Sequence, residues 1–144
     1  MSDQNYSNHT RYVFAFHMIL FPMLLLTLGG ALVNLYKSWG DHERIYSAAL
    51  IVALTLGMVM LSFFARIFAL KAQDRAIRAE ENLRHFVLTG KLLDARLTVR
   101  QIIGLRFAPD AEFLALAAKA AAQGTSEDEI KKAVKNWKAD VYRV

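Results

Sequence analysis

The sequence contains no cysteine, which excludes disulfides, thiolate metal sites, cysteine nucleophiles and iron–sulfur ligation. Its four histidines stand at positions 9, 17, 42 and 85, too scattered to form the paired metal ligands of a single helix. It also lacks a glycine-rich phosphate loop, a nucleophile elbow and paired carboxylates within its apolar runs. We therefore expect neither a cofactor nor an enzymatic activity.

Charge is scarce in the first half of the chain. Residues 12–70 carry only five charged side chains, which are Lys37, Asp41, Glu43, Arg44 and Arg66. The apolar run 12–36 is uncharged for about 24 residues, and the run 45–70 is interrupted only by Arg66, whereas about 20 residues cross a bilayer as a helix. Neither run alternates polar with apolar residues as a barrel strand does, and both are too long for a signal peptide. The sequence therefore predicts two transmembrane helices.

The connection between the two runs, residues 37–44, is short and carries no net charge. It predicts an antiparallel hairpin with both termini on one side of the membrane. A basic cluster (Lys71, Arg75, Arg78 and Arg84) follows the second run, and the positive-inside rule assigns its side to the cytoplasm. We expect this cluster to attract anionic lipid headgroups, at about 1 kcal/mol per side chain. The aromatic residues expected at the outer interface are Tyr36, Trp39 and Tyr46.

The chain has only two prolines. The second apolar run continues into a charged, polar segment that contains neither Gly nor Pro before Gly90. One helix of about 45 residues is therefore expected to project from the membrane. The predicted organisation is a polar segment 1–11, a membrane hairpin 12–70, a cytoplasmic helical extension 71–89 and a small helical domain 90–144.

Small residues form two stripes on this long helix. Ala49, Ala53 and Gly57 repeat every fourth residue, a pattern that permits close helix packing in lipid. The second stripe has coiled-coil spacing and comprises Ala65, Ala69, Ala72, Ala76, Ala79, Leu83 and Phe86. Three partners stay open for it: the first apolar helix, a second copy of the chain, or the chain's own alanine-rich helix near residues 114–122.

The C-terminal half predicts short helices, so the fold class is all-α. Capping boxes at Thr98–Gln101 and Ser126–Glu129 start two of them, and Pro109 starts a third that ends near Gln123. The last helix is expected to run to about Lys138, with Ile130, Val134 and Trp137 on one buried face. Such short helices are expected to pack on the projecting helix or on a neighbouring subunit.

A helix-turn-helix unit that binds nucleic acid is the less favoured interpretation of the last two helices. Lys131, Lys132, Lys135 and Lys138 are basic, but three acids occupy the first turn, where a recognition helix would meet the bases. The helix dipole alone favours this distribution of charge.

His17 and Arg66 are the ionisable side chains inside the two runs, at similar depths from the cytoplasmic end. With Lys71, Arg75 and Arg78 they are candidates for a lipid site or a pore mouth, although Arg66 could also reach the headgroups by snorkelling. Pro22, Gly29 and Gly30 are candidate hinges, although such residues are ordinary in membrane helices.

Three segments carry a resemblance to a known family: residues 5–9 (NYSNH), residues 40–44 (GDHER) and the stretch 63–86. The chain resembles a bacterial family of small two-span membrane proteins of unknown function. The resemblance implies a bacterial inner-membrane setting and no mechanism.

Two functions fit these features. The first is assembly through the small-residue stripes, as a homo-oligomer or as an accessory subunit of a membrane complex. The second is an oligomeric channel, which also requires a polar pore lining. The runs offer little for such a lining beyond Thr27, Asn34, Ser47, Thr55 and Ser62.

Overall fold

The computed structural model describes residues 4–9 and 12–140. Within them the structure is all-helical, with five α-helices, one π-helical segment and no strand. The helices are α1 (Phe21–Lys37), α2 (His42–Thr89), α3 (Val99–Leu105), α4 (Asp110–Gln123) and α5 (Glu127–Ala133). The predicted all-α class is confirmed for these residues.

Two compact units make up the chain. The first is formed by residues 12–69, and the second joins the described N-terminal residues 4–9 to residues 70–140. Helix α2 supplies residues to both units.

The N-terminal end of the first unit departs from the expected α-helix. Residues Ala15–Leu20 form a π-helical segment, in which the Phe21 N–H donates to the carbonyl of Phe16, five residues back. Pro22 follows at the start of α1 and has no N–H to donate. The wider π turn therefore lies where the proline interrupts α-helical hydrogen bonding.

The turn between α1 and α2 is tighter than predicted, since it comprises residues 38–41. Gly40 takes a φ of +92°, and the Asp41 carboxylate accepts hydrogen bonds from the N–H groups of Glu43 and Arg44. These contacts satisfy free N–H groups at the start of α2, so the helix begins earlier than hydropathy alone suggests.

Helices α1 and α2 pack against each other within the first unit. The rings of Phe21 and Phe63 meet edge to face at 5.5 Å. Leu24 and Ala31 of α1 and Ala48 and Thr55 of α2 are buried. Each of the two helices therefore contacts the other through a narrow face that carries few large side chains.

The second unit has its own apolar core. Helix α2 ends at Thr89, and Gly90 follows it with a φ of +72°, as predicted. The linker is held close to the helix because Asn82 Oδ1 accepts a hydrogen bond from the Leu93 N–H at 3.2 Å. The buried core residues are Leu93, Leu97, Ile102, Leu105, Ala108, Phe113, Ala117, Ala120, Ile130 and Val134. Both predicted capping boxes are present at the starts of α3 and α5.

The prediction that the last helix reaches Lys138 is wrong, because α5 ends at Ala133. The Glu112 carboxylate of α4 accepts hydrogen bonds from the N–H groups of Lys135 and Asn136 at 2.9 and 3.1 Å. The Lys138 N–H donates to the Phe107 carbonyl. Tertiary partners thus replace the helical bonds and direct Trp137 onto Phe107.

Candidate assembly surface

The outer stripe (Ala49, Ala53 and Gly57) is exposed in the described chain. A Cβ atom added at Gly57 would have nothing within 4 Å. The residues of α2 that α1 covers include Ala48 and Thr55, which lie near the stripe in sequence but do not belong to it. The outer stripe therefore does not face α1.

The coiled-coil stripe, which we call the seam, is also open. Ala69 is half-buried, whereas the other six members are exposed, including Leu83 at 64% and Phe86 at 50%. Within the first unit, Ala65 is exposed and is therefore not covered by α1.

A different face of α2 contacts the C-terminal helices. Ile77 and Glu81 are buried at 6% and 5% exposure, and Arg84 reaches α4. At 100° per residue this face lies roughly 140° from the seam around the helix. Helix α4 meets α2 through Arg84 and His85, so the alternative in which α4 covers the seam is wrong.

Arg84 is the centre of this contact and is only 13% exposed. Its guanidinium lies 2.6 Å from Asp110 and 3.0 Å from Glu81, donates to the Ala108 carbonyl at 2.8 Å, and stacks 4.3 Å from the centre of the Phe113 ring. A buried cation needs such partners to offset its desolvation. Assigning Arg84 to the lipid-binding cluster is therefore a mistake, whereas Lys71, Arg75 and Arg78 are exposed as that role requires.

The candidate pair His17 and Arg66 is not joined by a direct contact in the described residues. His17 Nδ1 lies 2.9 Å from the Val13 carbonyl, and its ring stacks on Tyr12 at 4.3 Å. The Arg66 guanidinium lies 5.2 Å from the centre of the Phe16 ring, beside His17 in sequence. The two groups therefore lie in the same region of the first unit, where a cation–π contact holds the arginine.

The hinge candidates lie at different places in the first unit. Pro22 adjoins the π-helical segment, while Gly29 and Gly30 lie in the middle of α1. Neither glycine has an atom within 4 Å of an added Cβ, so packing within the chain does not require glycine there.

Residues 4–9, which we call the N-terminal clasp, pack on the C-terminal helices. The Tyr6 hydroxyl donates to the Asp128 carboxylate, and Asp140 donates its N–H to Gln4 Oε1 at 2.7 Å. The His9 ring lies 5.9 Å from that of Phe107 and 5.7 Å from that of Trp137. Sequence reasoning missed this contact, although residues 5–9 are among those that carry the family resemblance.

Ion pairs hold the acidic surface around the clasp. The Lys132 ammonium and the Tyr6 hydroxyl both bond to Asp128 and keep the pKa of its carboxyl below the usual value. In the linker, hydrogen bonds from the Arg96 side chain and N–H lower the pKa of Asp94 to about 2. These carboxylates are therefore engaged with their own chain and serve the fold.

The described residues contain no group of three or more His, Asp or Glu arranged to hold a metal ion. Along the seam, Leu83 and Phe86 expose large apolar side chains beyond the end of the second apolar run.

Comparisons with known proteins give one match. No curated protein and no solved structure matches the chain. A family model described as a family of unknown function, DUF6526, matches residues 1–144. The resemblance to a family of unknown function is thereby confirmed, and the chain belongs to the DUF6526 family.

Proposed function

We propose that the chain is a small integral membrane protein of the bacterial inner membrane that acts by assembly through the seam of α2. Its partners would be further copies of itself or the other subunits of a membrane complex. The observation that carries the proposal is the exposure of Leu83 and Phe86 on the water-facing part of α2.

The membrane setting is supported by length, hydropathy and exposure together. The spans Ala15–Lys37 and His42–Thr89 contain 18-residue windows of mean hydropathy 2.1 and 2.4, of which only 11% and 17% is buried. A core helix of a soluble protein is mostly covered by its own chain, and these helices are not. The exposed aromatic residues Tyr36, Trp39 and Tyr46 at the turn are typical of a membrane interface.

The N-terminal clasp supports a topology with both termini on one side. Its contacts with Asp128 and Trp137 require residues 4–9 and α5 to share one compartment. Two spans between them satisfy that requirement, and the exposed cations Lys71, Arg75 and Arg78 favour the cytoplasm.

Assembly is supported by what the chain leaves uncovered. Exposed leucine and phenylalanine side chains in one row outside the apolar spans are unfavourable in water and are typical of a protein interface. The alanines that precede them would let a second helix approach closely.

The proposal is tested by particle mass in mild detergent and in lipid nanodiscs. We expect the wild-type chain to form a particle heavier than one copy, and we expect Ala72→Leu to dissociate it by overpacking the interface. Ala72 is exposed in the single chain, so the change acts mainly on whatever covers this position in the particle. Ala122→Leu, at an exposed position of α4, is the matched control and leaves the mass unchanged. A monomeric wild type without co-purifying subunits, in its native host, would overturn the proposal.

A channel built from several copies is the second candidate. A closed ring requires each copy to meet two neighbours, and the outer stripe and the seam offer two separate exposed surfaces for them. The hydroxyls of Thr27, Thr55 and Ser62 donate to carbonyls of their own helices, which gives a pore lining little support. A ring-shaped particle that passes ions in liposomes would favour the channel.

A further inference from the structure

We infer that the seam pairs two copies of this chain in parallel and in register, with Arg75 of each copy facing Glu80 of the other. The inference rests on the proposed function and deepens it, because it names the partner and the geometry. It is carried by the open apolar row and by the charges that flank it.

The seam places these two charges at defined positions. Its members repeat at alternating spacings of four and three residues over about three heptads, which makes them the a and d positions of a coiled coil. Ala76 and Leu83 are then a positions, and Ala79 and Phe86 are d positions. Arg75 precedes an a position and is a g residue, whereas Glu80 follows a d position and is an e residue.

In a parallel pair, a g residue of one helix faces the e residue five positions further along the other helix. Arg75 and Glu80 have this separation and opposite charge. Twofold symmetry forms the contact twice. Antiparallel pairing would instead place g opposite g and e opposite e, which leaves Arg75 without Glu80.

Both side chains are available for this contact. Arg75 and Glu80 are exposed, and neither makes an ion pair with another residue of the described chain. The neighbours of Arg75 on its own helix surface are Lys71 and Arg78, which repel it. An acidic group on another chain would relieve that repulsion.

The membrane fixes the direction of the pair. Two copies that insert with the same topology carry their α2 helices in the same direction, and the symmetry axis then lies along the membrane normal. The C-terminal helices pack on the face of Ile77 and Glu81, and residues 138–140 reach the edge of the seam, where they line a cleft with Ala76 and Glu80. Both Ala76 and Glu80 stay exposed and therefore open to a second helix.

Charge reversal in the full-length chain tests the pairing. In a dimer of Arg75→Glu both contacts become Glu–Glu, and in a dimer of Glu80→Arg both become Arg–Arg. We expect each variant to self-associate about tenfold more weakly than the wild type. A mixture of the two variants restores both opposite-charge contacts, so differently tagged copies should form heteromers in preference to homomers. The double variant should regain the wild-type association.

Lys119→Glu is the matched control, since it makes the same change of charge at an exposed position of α4, where it is no neighbour of Arg75 or Glu80 on α2. It should leave association unchanged. Because the chain has no cysteine, single thiols give an independent readout. Ala76→Cys and Leu83→Cys should form interchain disulfides under mild oxidation, and Arg78→Cys should not.

The outcomes separate this inference from the proposed function. The parallel pair would be overturned, and assembly left standing, by the following result. The wild type forms particles, but the two charge variants self-associate as strongly as the wild type, show no preference for heteromers, and the seam thiols do not cross-link. A particle that holds one copy of this chain with other subunits would do the same. A monomer without partners would overturn both.

Discussion

Glu112 shows how one side chain can end a helix to which it does not belong. It lies in the first turn of α4, where a carboxylate already suits the helix dipole. Its oxygens also accept hydrogen bonds from the N–H groups of Lys135 and Asn136 and from the Asn136 amide at 2.9 Å. These bonds pair with the backbone N–H groups of the residues that follow the end of α5.

We expect Glu112 to make the second unit sensitive to acid. The Lys135 N–H, with Asn136, holds the pKa of this carboxyl below its ordinary value of 4.5. The folded form therefore keeps the carboxylate ionised to a lower pH than the unfolded chain does. The stability this supplies is complete above about pH 4.5 and is lost as the pH falls through the lowered pKa of the folded form.

Unfolding followed by Trp137 fluorescence in a Trp39→Phe background measures the effect. Glu112→Gln should lower the stability at pH 7 and flatten the decline of stability as the pH falls below about 4.5. Glu43→Gln, at an exposed acid of the first unit, is the control. Equal acid sensitivity of Glu112→Gln and the wild type would contradict this role.

The local contacts of single residues could be predicted from the sequence, and the distant ones could not. The capping boxes at Thr98 and Ser126 join partners three residues apart, so a short motif reveals them. Glu112 lies 23 residues from Lys135, and Arg84 lies 26 residues from Asp110. No periodicity relates such pairs, which is why Arg84 resembled a lipid-binding residue.

At the scale of elements, α3 and α5 cross at Gly104. A Cβ atom there would lie 3.0 Å from the Glu127 carbonyl oxygen and 3.3 Å from Ile130 Cβ. The carbonyl belongs to the first turn of α5, which its capping box holds in place, and Ile130 is 1% exposed. Neither neighbour can easily move away. Helices α3 and α5 can therefore cross this closely only because residue 104 is a glycine.

Gly104→Ala should therefore destabilise the second unit by about 1–2 kcal/mol, although alanine is the better helix former. Thermal unfolding measured through Trp137 tests the expectation. In an Ile130→Ala background the same substitution should cost less, because the space around Ile130 Cγ2 becomes free. A cost that is unchanged in that background would exclude the steric explanation.

The extent of α2 could be predicted, whereas the faces it uses could not. Its continuation to Thr89 follows from helix formers and the glycine at position 90. Which side of the helix is covered depends on the position of α1 and of the C-terminal helices. The sequence alone therefore left three partners open for the seam, and the contacts of α4 with Arg84 and His85 remove α4 from them.

For the whole molecule, the N-terminal clasp and the apolar helices together predict where each region lies. An impermeant maleimide should modify Ser7→Cys and Lys135→Cys from the same side of sealed vesicles, and Trp39→Cys from the other side. All three positions are exposed. Modification of Ser7→Cys and Lys135→Cys from opposite sides, or of all three from one side, would contradict the two-span topology.

The clasp also has a consequence for biosynthesis. Tyr6 is translated 122 residues before Asp128, the residue to which its hydroxyl donates. In the proposed two-span topology, residues 4–9 therefore wait on one side of the membrane until α5 has left the ribosome. A chain with only one apolar helix across the bilayer would hold residues 4–9 and α5 on opposite sides and could not make this contact. Closure of the clasp would thus distinguish a chain that is complete and spans the membrane twice from one that is truncated or spans it once.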